Sequence, residues 1–292
     1  MNYSFYKTGD KSLTLFNKDY KDFYHSKKGA LKEALYQFLY PIKKFLKANN
    51  GFSFFEIGFG LGYNALVTSY FLEKIGKDYS YFSIEKDRKL FDFLLKNCQK
   101  FKIKDYCTFL KDFKEKIFFE DALSFDFEKL SKLRNKYLII YHDAFSPSKN
   151  KELWTFFFFK KLKKSNFDFL LTFTSNPRVR VALFLNNYFV LPTFRIGGGS
   201  GTVAFKDLDY LDYLNFKNYS IKELVLLFSN YSTPYGLGSL ENFPFKVKNK
   251  RIRILNSEFY KKLKKLKILD AKEFLLKIKK EVQEFWSEKI SL

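Results

Sequence analysis

The sequence predicts an α/β fold built on an open, mainly parallel sheet with helices on both faces, and three observations predict it. From residue 52 onward, apolar runs that stop at polar residues alternate with segments of helical spacing. A glycine-rich turn, Gly58, Gly60 and Gly62, follows the first of those runs. Single carboxylates, Glu85, Asp121 and Asp143, stand where later runs end, and in open α/β sheets the ligand crevice lies beyond the carboxyl ends of the strands.

Taken in order, residues 1–50 read as a leading unit. Tyr3–Lys7 and 13–16 flank the turn-like Thr8-Gly9-Asp10-Lys11, a hairpin pattern. A helix is predicted over 30–46 from apolar residues at 31, 34, 35, 38, 39 and 42, with Pro41 set to kink or shorten it. The central domain, 51–205, opens with a strand over Phe52–Ile57 and a helix over 61–75. A strand over 79–85 and a helix over 88–100 follow, then strands over 116–119, Tyr137–His142 and 168–174. After Asn176 a helix leads to two closing strands, near Phe189 and over 202–205. Residues 206–292 form a basic C-terminal segment; within it, apolar residues at 274, 275, 278, 282, 285 and 286 mark an amphipathic helix.

Composition narrows the function. Apolar residues make up 46% of the chain, including 39 Phe and 20 Tyr, so it is globular. No apolar run is long enough to span a bilayer and the start lacks a secretory signal, so a cytoplasmic location and no membrane partner are expected. Two cysteines, Cys98 and Cys107, and two histidines, His25 and His142, are too few and too scattered for a metal site. In a reducing compartment the thiols are expected to be unpaired packing residues. The formal charge of +22 attracts polyanions and points to nucleic acid. An A/T-rich genome accounts for abundant Lys, Phe and Tyr, but not for the imbalance with Asp and Glu. Residues 246–292 alone carry 15 Lys and Arg against 6 Asp and Glu. That helix is either docked with a solvated lysine face or a phosphate-contacting element.

The glycine turn lets backbone approach a nucleotide-like ligand closely. Its spacing is not that of dinucleotide sites, and Glu56 directly precedes it. Glu85 is placed to accept hydrogen bonds from ribose hydroxyls, or to pair with Lys86 or Arg88 on the surface. Asp121 with Ala122 is placed either at an adenine amino group or as a helix cap. The segment from Asp143 to Thr155 joins a carboxylate, a Ser-Pro turn and the bulky Trp154, and reads as a rigid loop beside the reacting groups.

Four stretches together resemble a known family: Asp22 to Ala30, Glu56 to Asn64, Asp143 to Thr155, and Thr172 to Asn176. The chain is similar to the tRNA 5-methylaminomethyl-2-thiouridine methyltransferases, in the MnmD-like form that corresponds to the methyltransferase half of MnmC. The resemblance implies a Rossmann-like class I methyltransferase that uses S-adenosyl-L-methionine, with an N-terminal extension and a basic C-terminal helical segment. Glu56, Gly58, Gly60, Gly62 and Asn64 then form the cofactor turn, Glu85 holds the ribose, and Asp121 and Ala122 hold the adenine. Tyr24, His25 and Ser26 close over the cofactor, and Asp143 faces both the sulfonium methyl and the substrate amine. Phe145, Ser146, Pro147, Arg195, Arg251 and Arg253 are expected on the substrate side, with an anticodon stem-loop as partner, no metal and a monomeric chain. Leu61 and Lys151 replace a Thr and a Pro usual in the family, and the run Gly197 to Thr202 stands where relatives often carry a basic pair, for which Arg195 substitutes. No flavin-dependent oxidase domain is expected, leaving the last methylation, of a 5-aminomethyl group on wobble uridine. An alkylammonium has a pKa of about 10.4 and an ordinary Asp about 3.9, so Asp143 orients the amine unless burial raises its pKa. Two rival readings are an aminopropyltransferase of spermidine-synthase type and a tRNA-binding protein without catalysis.

Overall fold

The computed structural model describes residues 2–237, 258–267 and 269–290. The predicted hairpin is present: β1 (Tyr3–Lys7) pairs antiparallel with β2 (Leu13–Asn17), which also pairs with the short β3 (Asp22–Phe23). The predicted helix starts as α1 (Ala30–Glu33), widens into a π-turn segment over Ala34–Leu39, and continues as α2 (Tyr40–Ala48). The widening comes just before Pro41, which has no N–H to give to the preceding turn. Four residues of the predicted face, Ala34, Phe38, Leu39 and Ile42, are buried, whereas Leu35 is exposed and Glu33 and Gln37 point inward beside them.

The main sheet has seven strands: β4 (Phe52–Ile57), β5 (Tyr79–Ile84), β6 (Ile117–Phe118), β7 (Tyr137–His142), β8 (Phe169–Thr172), β9 (Phe189–Phe194) and β10 (Ser200–Phe205). Their order is β6-β5-β4-β7-β8-β10-β9. The first five are parallel, and β10 runs antiparallel between β8 and β9. Every residue of β4 is buried, as a central parallel strand covered on both sides requires. Chain order reverses between β4 and β7, so the crevice at the ends of these two strands is where a ligand belongs.

The connecting helices are α3 (Tyr63–Lys74), α4 (Arg88–Asn97), α5 (Tyr106–Phe113), α6 (Lys129–Leu133), α7 (Phe156–Leu162) and α8 (Pro177–Leu185). Cys98 and Cys107, expected to be unpaired, form a disulfide between the end of α4 and the start of α5. The helix α5 was not predicted; it turns the chain back and brings the two thiols together.

Beyond the sheet lie α9 (Ile221–Leu227), α10 (Glu258–Leu266) and α11 (Ala271–Ile290). The predicted amphipathic helix is α11. It buries Leu275, Ile278, Val282 and Trp286 and packs on α8 and β9. Trp286 Nε1 donates to Leu227 O at 2.9 Å, so the docked face is fixed by shape and by a hydrogen bond. Arg251 and Arg253 lie outside the described residues. Among the described residues, no helix is long and apolar enough to cross a membrane, and no His, Cys, Asp or Glu cluster suits a metal ion.

Candidate active site

Beyond the ends of β4, β5 and β7 lies a cavity of roughly 1120 Å³, larger than one cofactor-sized ligand fills. The turn after β4 forms its floor. Gly58, Gly60 and Gly62 have φ of 89°, 53° and 72°, the left-handed region that glycine tolerates. A Cβ on Gly58 would stand 2.9 Å from Asp143 O, so the turn and the β7 loop lie too close for any side chain between them. Glu85, just past β5, ties the turn from the other side: its carboxylate accepts from Gly60 N at 3.0 Å and from Asp87 N at 2.9 Å.

Glu56 is placed differently from the direct cofactor contact expected of it. It is fully buried behind the turn and accepts from Asn64 Nδ2 at 2.8 Å, and from the hydroxyls of Tyr81 and Ser83 at 3.2 Å each. Asn64 Nδ2 also donates to Asp143 Oδ2 at 2.7 Å, so Glu56 supports Asp143 through Asn64. Gly62, Asn64 and Pro147 likewise do not reach the cavity wall. Burial pushes the Glu56 carboxyl up to about 8 against those three donors. Since this is above its unfolded value, the stability it contributes is fully present below about 4.5 and is lost as pH rises toward 8. Glu56→Gln is therefore expected to be relatively more stable at pH 8 than at pH 5 when its melting temperature is set against wild type. Parallel changes in the two proteins would contradict this.

Asp143, one residue past β7, opens on the cavity. Burial first, then the charges of Glu33 and Glu56, raise its carboxyl well above the ordinary range, and the Asn64 bond only partly offsets them. The loop after it is held rigidly. Trp154 Nε1 donates to Phe145 O at 2.8 Å, and Lys149 N and Asn150 N both donate to Ser146 O. Phe145 stacks on Tyr20 at 4.2 Å and meets Tyr24 at 5.0 Å, making an aromatic wall.

The N-terminal unit closes the other side. Tyr24, His25, Ser26 and Glu33 line the cavity, and Tyr3 hydrogen-bonds Asp87 across it. Tyr24 OH accepts from Asn17 Nδ2 at 2.8 Å. His25 is buried against Tyr63, and burial lowers its pKa to about 4, so the ring is neutral. Asp121 accepts from Leu123 N at 2.9 Å, closing a turn and not capping a helix, and it pairs with Lys86 at 2.6 Å on the cavity wall. Ala122, Ser146 and the exposed Arg195 also line the wall. Lys28 Nζ donates to Gly197 O, joining the N-terminal unit to the glycine run.

Glycine turn, strand-end carboxylates and switch-point cavity together define a site for a nucleoside-bearing ligand. Residues 85–203 match a family described as S-adenosyl-L-methionine-dependent methyltransferase. A crystal structure of MnmC2 from Aquifex aeolicus is similar with a TM-score of 0.59 and 25% identity, over 95% of this chain and 85% of that one. The tRNA 5-methylaminomethyl-2-thiouridine biosynthesis bifunctional protein MnmC of Campylobacter hominis is 33% identical over 153 residues, 48% of this chain but only 23% of that protein. An uncharacterised protein of Methanocaldococcus jannaschii is 28% identical over 310 aligned positions, 94% of this chain and 81% of that one.

The chain is a Rossmann-like methyltransferase whose cofactor is S-adenosyl-L-methionine. Within that class it is similar to MnmC2 over most of its length and to a part of MnmC. The residues present fit the cofactor: a Cβ at Gly58 or Gly62 would clash, and Glu85, held by Gly60 N and Asp87 N, stands at the cavity wall beside the turn.

Proposed function

We propose that this methyltransferase acts on the primary amine of 5-aminomethyluridine, with or without 2-thiolation, at the tRNA wobble position, and yields the 5-methylaminomethyl form. One observation carries the reading: an acid-lined cavity in a strongly cationic chain. The lining holds nine Asp and Glu against six Lys and Arg, whereas the whole chain is +22. A polyanion is drawn to the exterior, and a cationic group that it carries is drawn inward. RNA bearing an alkylammonium satisfies both. An aminopropyltransferase shares the acid-lined pocket, but the matched family takes S-adenosyl-L-methionine instead.

In this reading Gly58 and Gly60 hold the cofactor, Glu85 takes the ribose, and Asp121 with Ala122 takes the adenine. Tyr24, His25 and Ser26 cover it. When bound, the cofactor supplies an electrophilic methyl on a sulfonium. Asp143 orients the amine toward that methyl, and placement accounts for most of the rate, worth roughly 7–11 kcal/mol. Phe145 and Tyr20 offer flat faces to the base, and Arg195 and Lys149 stand at the mouth for phosphate.

The test is mass spectrometry of nucleosides after incubation with S-adenosyl-L-methionine and a stem-loop that carries 5-aminomethyluridine. One methyl gained on that nucleoside is expected; no gain, or a methyl on another base, would overturn the reading.

The basic α10–α11 face supplies a second contact to tRNA. Part of its charge is internally compensated, by Lys262–Glu281 at 2.6 Å and Lys277–Glu273 at 2.6 Å. Lys261 and Lys265 are exposed on α10. The double variant Lys261→Glu with Lys265→Glu is expected to weaken tRNA binding and to flatten its salt dependence by roughly 2 in log-log slope. Cofactor affinity stays constant. An unaltered tRNA affinity would make this helix a packing element alone.

A further inference from the structure

Glu33 was not singled out in the sequence, yet it lines the same cavity as Asp143 while being only 9% exposed. It closes α1, and its two oxygens are held separately: Oε2 accepts from Ser26 N at 2.6 Å and Oε1 from Gln37 Nε2 at 3.0 Å. Both partners are N–H donors, which favours the ionised carboxylate. Burial raises the Glu33 carboxyl above its ordinary range, and these two bonds together with the exposed Arg195 offset that only in part. Asp143 has one N–H donor, from Asn64, and is repelled by the charge of Glu33. His25 beside them is neutral.

Two carboxylates that repel one another at one cavity do not readily ionise together, and the nearby cation, Arg195, acts on Glu33. The hydrogen bonds decide the split: Glu33 carries the charge at rest and Asp143 the proton. We propose that Glu33 and Asp143 act as a pair on the acceptor amine, Asp143 orienting it and Glu33 taking up its proton. The inference rests on the amine substrate proposed above. In the step, one N–H bond of the ammonium breaks and one O–H bond forms on Glu33, and the electron pair stays on nitrogen as the nucleophile. Asp143 releases its own proton to solvent when the cationic cofactor is bound, and its carboxylate then accepts from a remaining N–H.

Two readouts on Glu33→Gln test this, with Glu33→Asp as the conservative partner. The first is calorimetry of S-adenosyl-L-methionine binding in buffers of different ionisation enthalpy near neutral pH. Wild type is expected to release about one proton, because burial and then Glu33 keep Asp143 protonated at rest, and Glu33→Gln, which removes the second of these, less. The second is the pH dependence of kcat on the 5-aminomethyluridine stem-loop. Glu33→Gln is expected to lower kcat about 10²-fold at pH 7, with the loss shrinking as pH rises toward the amine's own pKa, and Glu33→Asp to recover part of it. Unchanged proton release, or a kcat loss that is the same at every pH, would overturn the pairing. If wild type transfers no methyl to the stem-loop, the substrate reading fails, while the proton count still decides whether the pair exists.

Discussion

Asp143→Asn is expected to lower turnover at least tenfold, and on the order of 10²-fold, while cofactor affinity changes only modestly and the melting temperature at pH 8 holds or rises. The two directions come from one cause. The carboxyl is buried beside Glu33 and Glu56, and its raised pKa means that the fold is stabilised by keeping it neutral. That contribution is present at acid pH and is lost as pH rises through the folded value, so an amide at this position relieves the folded state. The amide also cannot accept the amine's N–H with a full negative charge. Turnover and melting curves on the same preparation check both halves. A drop in stability equal to the drop in activity would mean that Asp143 holds the loop together and has no part in the reaction.

The second large effect is expected at Gly58. Gly58→Ala places a Cβ 2.9 Å from Asp143 O and 3.2 Å from its carbonyl carbon, at a φ of 89°. Both the left-handed strain, roughly 1–3 kcal/mol, and the backbone clash fall on the two segments that form the cavity floor. Cofactor affinity is expected to fall at least tenfold. Gly76→Ala is the control: it also has positive φ, at 65°, but its Cβ meets no atom within 4 Å. It is expected to cost about 1 kcal/mol of stability and to leave binding intact. Equal affinity losses in both variants would show that strain, and not the contact between turn and loop, is responsible.

Much of this architecture was legible in the sequence, because parallel strands announce themselves. Runs such as Phe52–Ile57 and Tyr137–His142 are mostly apolar and end at a polar residue or a glycine, and the cavity lies at those ends. The glycine turn and Asp143 were legible for the same reason: each follows a strand directly. Polar residues that a helix buries were not. The leading helix was read from its apolar residues, of which Ala34, Phe38, Leu39 and Ile42 are buried, and that left out Glu33 and Gln37 between them. The signal was present in the i, i+4 rows Ala30–Ala34–Phe38 and Glu33–Gln37, small or polar residues on one side of a helix that packs closely. The Cys98–Cys107 disulfide was missed because the chain reversal that joins the thiols depends on the unpredicted α5.

Buried polar networks lie further still from what one chain can reveal. Arg180 is almost fully buried; it binds Glu223 at 2.8 Å, Thr202 Oγ1 at 3.0 Å and Gly201 O at 2.9 Å, joining α8, β10 and α9. Asp168, at the opposite end of the sheet from the cavity, accepts from Arg134, Leu138 N and Tyr210 OH. Its carboxylate was read only as the start of a strand. Both groups satisfy charges that the fold buries, and the partners come from distant segments.

The central claim is that one cavity presents the methyl donor over the Gly58–Gly60 turn and the acceptor amine at Asp143. A crystal structure of the protein with S-adenosylhomocysteine and a 5-aminomethyluridine nucleotide tests it most directly. The account predicts the cofactor's ribose at Glu85, its sulfur above the glycine turn, and the amine nitrogen within about 3.2 Å of Asp143. An amine lodged away from Asp143 and Glu33, or a cofactor bound elsewhere, would contradict it.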